Sequence, residues 1–101
     1  MKDSDGFTEF VLDQLRALKT VRARRMFGGY GLYLGDTFFG ILYRGQLFFK
    51  VHPSTRDDYE RRGMNPFCPK PGQTMKNYLD VPAHVVEDPH ELVAWAREAL
   101  H

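Results

Sequence analysis

The chain is poor in cysteine, in net charge and in long apolar runs, and each shortage excludes something. One cysteine, Cys68, in 101 residues rules out an intramolecular disulfide. No stretch of about 18 apolar residues occurs, so no transmembrane helix is expected. The N-terminus, Met1-Lys2-Asp3-Ser4-Asp5, is polar and acidic and lacks the apolar run of a signal peptide. A cytoplasmic location is the expectation. Lys+Arg 14 against Asp+Glu 13 leaves a formal net charge of +1 with His neutral. That is too little for a polybasic protein that coats nucleic acid, because non-specific phosphate binding needs a large positive excess.

What remains describes a small folded protein. Hydrophobic residues at 43% and aromatics at 14% argue against disorder, which needs low hydrophobicity and high net charge. The length suits a single domain spanning 1–101, and such a chain buries about two-thirds of its unfolded surface. It is too short for a (β/α)₈ barrel. No internal repeat, low-complexity tract or linker is visible.

The charges are unevenly placed. Residues 1–50 carry eight basic and five acidic groups, whereas residues 51–101 carry six and eight. Arg16, Lys19, Arg22, Arg24 and Arg25 form a run with no acid, and from Asp80 onward only Arg97 opposes five acids. Such a cluster can bind phosphate or a partner's acidic patch, or serve as a solvated surface balanced by the acidic tail.

Hydrophobic periodicity divides the chain into elements. Residues 5–18 read as an amphipathic helix with the stripe Phe7, Phe10, Val11, Leu15 and Leu18, capped by Ser4 or Asp5. Residues 21–51 are rich in β-formers. Gly35-Asp36 separates Tyr30–Leu34 from Thr37–Tyr43, and Arg44-Gly45 separates that run from Gln46–Val51. Two-residue breaks containing glycine suit tight hairpins, which predicts an antiparallel β-meander, extended at its start by Val21–Phe27. His52-Pro53 ends the sheet run. A short, mostly exposed helix is expected from a Ser54 or Thr55 cap to Arg62, with Gly63 following it. Residues 64–73 read as an irregular connection and Thr74–Asp80 as a strand. Asp88-Pro89-His90-Glu91 supplies an N-cap, a proline at N1 and an acid at N3. It opens a C-terminal helix with the stripe Leu92, Trp95, Ala96, Ala99 and Leu100. The fold class is therefore α+β.

Candidate chemistry is sparse. Phe27-Gly28-Gly29-Tyr30-Gly31 lacks the Gly-Lys-Ser/Thr ending of a phosphate loop and does not open a helix, so it reads as a bend, bulge or tight strand junction. Cys68, between Pro66-Phe67 and Pro69, has no local group to lower its pKa, although His52 could approach it in space. His52, His84, His90 and His101 match no metal spacing. Asp57-Asp58 and Glu87-Asp88 are placed at helix starts, where acids complement the dipole. No catalytic residue, metal site or cofactor is assigned. The best functional candidates are Arg22, Arg24 and Arg25. In a strand, Arg22 and Arg24 share one face and Arg25 points to the other. Phe27, Tyr30 and Tyr33 could stack on bases, or form the sheet core.

The run Val21-Arg22-Ala23-Arg24-Arg25-Met26-Phe27-Gly28-Gly29-Tyr30-Gly31-Leu32-Tyr33 resembles the opening of the TfoX/Sxy N-terminal domain. Leu47–Val51, Thr55-Arg56 through Gly63, Pro66-Phe67, Met75 through Tyr78, Val81-Pro82, Asp88-Pro89 and Leu92–Leu100 resemble later parts of that family in the same order. Within this signature Met26, Phe27, Gly28, Gly29, Tyr30 and Gly31 form the structural motif. The resemblance implies a two-layer α+β domain with helices on one face of an antiparallel sheet. It also implies a bacterial regulator of natural competence genes, thought to act with the cyclic-AMP receptor protein at promoters. Full-length members carry a second, helical domain, so the resemblance implies that this chain is a stand-alone N-terminal-type domain or one excised from a longer protein. The family offers no established catalytic residues.

Three functions are open at this point. The first is a non-enzymatic regulatory module acting through protein contacts. The second is a nucleic-acid-binding domain using Arg22, Arg24 and Arg25. The third is a small enzyme, for which no nucleophile–base or metal constellation appears. An exposed edge strand could also pair two copies into a homodimer.

Overall fold

The computed structural model describes residues 6–26 and 28–100. The elements follow in the order α1 (Gly6–Gln14), a 3₁₀ turn (Arg16–Leu18), β1 (Val21–Met26), β2 (Gly29–Leu34), β3 (Thr37–Tyr43), β4 (Gln46–Lys50), α2 (Pro53–Arg61), β5 (Pro66–Phe67), β6 (Met75–Asp80), α3 (Ala83–Val86) and α4 (Pro89–Ala99). The strands form one sheet in the order β1-β2-β3-β4-β6-β5, antiparallel throughout. The first four strands are the expected meander. β6 then returns beside β4 and leaves β5 at the far edge.

Both predicted hairpin breaks are present. Arg44 and Gly45 have φ of 49° and 76°, two consecutive left-handed residues that match the twist of the strands they join. This conformation is strained for Arg44 and free for Gly45.

The sheet has two unequal faces. Helix residues Val11, Tyr59, Val85, Val86, Leu92, Ala96 and Ala99, with Leu15 from the turn after α1, pack with Leu32, Phe39, Leu42, Leu47, Phe49, Val51, Leu79 and Val81 in the main core. The helices thus cover one face, which is the two-layer α+β arrangement. A second, smaller cluster of Ile41, Phe48, Phe67 and Tyr78 lies apart from the helices, flanked by Phe38, Tyr43 and Met75. Phe67 reaches Tyr43 at 5.2 Å and Phe48 at 5.1 Å between ring centroids. The segment after β4 and α2 therefore sends an aromatic side chain back over the sheet.

A bulge in β3 produces this division. Leu32 pairs with Gly40 while its neighbour Tyr33 pairs with Phe38, so Phe39 is the extra residue. Phe39 and Gly40 consequently face the same side. Phe39 sits in the main core, and a side chain on Gly40 would meet Phe49 Cδ1 at 3.1 Å and Leu32 Cδ1 at 3.2 Å. Glycine leaves the room that the Phe49 and Leu32 side chains fill.

The helices depart from expectation in places. α1 ends at Gln14 and gives way to the 3₁₀ turn; its buried face carries Thr8 and Val11, and Leu15 in the turn that follows is buried beside them. Phe10, expected in the apolar stripe, is 41% exposed. It lies more than a right angle around the helix from that face at 100° per residue. The expected caps Ser4 and Asp5 fall outside the described residues. α2 begins one residue before the predicted cap. His52 is its N-cap and Pro53 its first residue. Thr55 is N3, and its Oγ1 accepts the backbone N–H of His52 at 3.0 Å. Asp57 and Asp58 consequently lie in the second turn, not at the start, and Asp58 pairs with Arg61 one turn on. Gly63 follows with φ 73°, as a residue past a helix end does. The expected irregular stretch 64–73 contains β5, and α3 was not anticipated. α4 is as predicted: Asp88 Oδ1 accepts from the N–H groups of His90 (3.0 Å) and Glu91 (3.3 Å).

Asp80 pairs with Phe48 across the sheet and borders an open groove with Phe7, Phe10, Leu47, Met64 and Val81. Burial raises its carboxyl pKa. The folded state therefore holds the proton more tightly than the unfolded chain does. The penalty for the charged form appears as pH rises above the unfolded value of about 4 and is complete above the folded value. Asp80→Asn is expected to raise the urea midpoint at pH 7 and to lose that advantage below about pH 3, where both states are protonated. Equal gains at both pH values would contradict the assignment.

Candidate binding surface

β1 is an edge strand, paired only with β2 among the described strands. Its six residues alternate across the sheet. Val21 and Ala23 pack against the main core, so Arg25 shares the helix side. Arg22, Arg24 and Met26 share the helix-free side. The predicted split of the three arginines is what the strand shows: Arg22 and Arg24 act on one surface and Arg25 does not join them.

The register sets Arg22 opposite Tyr33 and Arg24 opposite Gly31. Arg22 Nη2 donates to the carbonyl of Gly35 at 3.1 Å. The Arg24 guanidinium lies 5.5 Å from the centroid of the Tyr33 ring. Tyr33 in turn contacts Phe38 at 5.2 Å, and Phe38 contacts Tyr78 at 5.3 Å. A line of rings therefore runs from the edge arginines toward β6. Burial raises the Tyr78 hydroxyl pKa, and the nearby Tyr33 adds to it. Tyr33 and Phe38 are half-buried and Tyr78 is 8% exposed. Among the described residues neither Arg22 nor Arg24 has a carboxylate within ion-pairing distance.

The glycine-rich motif builds the join between this edge and the rest of the sheet. Gly28, at φ 79°, lies between β1 and β2, and Gly29–Leu34 form β2, so the stretch is a turn and a strand and not the opening of a helix. A side chain on Gly29 would collide with the backbone carbonyl of Leu42. One on Gly31 would collide with Met26 Sδ and crowd Phe38 Cε1 at 3.0 Å. Met26 thus lies over Gly31 on the helix-free face. Tyr30 packs against the main core and is not available for stacking; Phe27 lies outside the described residues.

The other candidates do not converge. Cys68 is exposed; its thiol donates to the Lys70 carbonyl at 3.0 Å and accepts from Thr74 Oγ1 at 3.5 Å. The His52 ring instead faces the Ala99 carbonyl at 3.4 Å, and His84 approaches Arg62 at 3.5 Å. Among the described residues no three His, Cys, Asp or Glu side chains are grouped to hold a metal ion. No helix there is long and apolar enough to cross a membrane. Sequence reasoning missed the line Tyr33–Phe38–Tyr78, because the bulge hides which aromatics share a face.

An antiparallel sheet with helices on one face and an arginine-bearing edge strand defines an α+β domain with one helix-free sheet surface. The TfoX N-terminal domain model matches residues 13–101, and the chain belongs to that family. No curated protein matches it.

The two motif glycines differ in what opposes them. Gly29→Ala must displace backbone, whereas Gly31→Ala displaces the flexible end of Met26. Urea denaturation is expected to show a loss of about 3 kcal/mol for Gly29→Ala and about 1 kcal/mol for Gly31→Ala. Equal losses would show that the close approach at Leu42 does not constrain the sheet.

Proposed function

We propose that this chain is a non-enzymatic regulatory module that acts in the cytoplasm through contacts with another protein, in the control of competence genes that its family membership implies. The observation that carries the reading is the β1 edge. It brings together a backbone that no second described strand pairs and the side chains of Arg22 and Arg24, neither of which meets a described carboxylate. Such an arrangement suits a partner that brings its own hydrogen-bonding and acidic groups. The separate engagements of Cys68 and His52 favour binding over nucleophilic catalysis, which needs nucleophile and base in mutual reach.

The ring line from Arg24 through Tyr33 and Phe38 favours a second reading, single-stranded nucleic acid. Stacking needs free ring faces, and here the rings are half-buried against one another.

The test is capture from bacterial cytoplasm by the wild type and by an Arg22→Ala/Arg24→Ala/Arg25→Ala variant of matched circular dichroism, with and without nuclease. Partners that survive nuclease and are lost with the variant are expected. Capture that disappears wholly on nuclease treatment selects the nucleic-acid reading. Partners retained by the variant place the surface elsewhere.

A further inference from the structure

The two edges of the sheet differ. β5 is two residues long and begins with proline, a short edge that offers little backbone for pairing. β1 is six residues long and contains no proline. Alternate residues along an edge strand direct N–H and C=O away from the neighbouring strand, and no other described strand takes up those groups in β1. Such an edge is a template for an added strand.

The side chains restrict what can be added. In a second copy of β1 paired antiparallel, the central registers set Arg22 opposite Arg24, Arg22 opposite Arg25, or Arg24 opposite its counterpart. Like charges placed directly across a strand pair are destabilising, so the arginines discourage self-pairing. The same arginines attract an opposite pattern. Arg22 and Arg24 are exposed and lie about 7 Å apart along one face, the spacing of residues i and i+2 in any strand. Arg22 uses one nitrogen on Gly35, which leaves guanidinium donors for a carboxylate. Arg24 is held over Tyr33 and is thereby positioned. On the opposite face Val21 and Ala23 offer small apolar neighbours.

Resting on the protein-binding reading above, we infer that β1 receives an extended acidic segment of a partner protein as a seventh, edge-added strand. That segment carries Asp or Glu at alternate positions facing Arg22 and Arg24, and small β-branched residues between them. Hydrogen bonds to the β1 backbone supply the pairing, and the two carboxylate–guanidinium contacts fix register and polarity of charge. A nucleic-acid strand has the negative charge but cannot complete the sheet's hydrogen-bond ladder.

The probe is a synthetic eight-residue peptide of alternating Thr and Glu, blocked at both ends. Its Thr-Lys counterpart and a twelve-residue oligothymidylate serve as comparisons, each titrated into isotope-labelled protein. The Thr-Glu peptide is expected to shift resonances of Val21–Met26 and to slow exchange of alternate β1 amides, with affinity falling as salt rises. Arg22→Glu/Arg24→Glu, whose unshifted α4 resonances confirm the fold, should bind the Thr-Glu peptide at least tenfold more weakly and gain binding to the Thr-Lys peptide. Absence of Thr-Glu binding overturns the inference. So does binding that survives charge reversal, or oligothymidylate binding that charge reversal removes while the peptide has no effect. If nuclease-resistant capture succeeds but the peptide fails, the protein-binding reading stands and the added strand falls. If both fail, the reading falls too.

Discussion

The extra residue in β3 is the constraint on which the sheet depends. β3 is a nearly unbroken apolar run, Phe38-Phe39-Gly40-Ile41-Leu42-Tyr43. Strict alternation would send Phe39, Ile41 and Tyr43 to one side. The bulge at Phe39 changes the phase. Phe39 and Leu42 enter the main core, while Phe38, Ile41 and Tyr43 serve the opposite face. Gly40 makes this feasible, because a second side chain beside Phe39 would press on Phe49 and Leu32. Without the phase change, Phe39 would share the face of Ile41 and Tyr43 and be lost from the main core.

From that division the rest follows by covering apolar surface. The main face takes all the helices, with α4 contributing Leu92, Ala96 and Ala99. The other face is too apolar to stay open where Ile41 and Phe48 lie, and Phe67 covers it. The cover stops short of β1 and β2. There the rings of Tyr33 and Phe38 are half-buried by one another and by Arg24, and the arginine stem and guanidinium do part of the work a helix does elsewhere.

Much of this was legible from residue order, and the failures have definite causes. The α4 start was readable because Asp, Pro and Glu each have one preferred place in a first turn. The hairpins were readable because glycine marks left-handed turns. The split of Arg22 and Arg24 from Arg25 needed only a period of two. The bulge was not readable, since a continuous apolar run carries no phase. The start of α2 was missed because histidine is an uncommon cap, although Pro53 at the first position was the available sign. β5 and α3 are too short for periodicity to register. The family signature located the motif glycines without revealing why Gly29 and Gly31 are small. That reason lies in contacts made only once the strands pair: the Leu42 backbone against Gly29 and the Met26 side chain against Gly31.

The near-balance of charge acquires a different meaning once the edge is seen. A net charge of +1 gives little long-range attraction to a polyanion, so the proposed selectivity of Arg22 and Arg24 is one of contact distance. An open sheet edge is indifferent to sequence, since every non-proline residue has the same backbone donor and acceptor. Arginines on such an edge therefore make it selective in two directions at once. They set like charge against like in a second copy, and they reward a carboxylate in a foreign strand. On the proposed reading, an edge that stays unpaired until an acidic segment arrives needs both properties, and Arg22 and Arg24 at i and i+2 supply them.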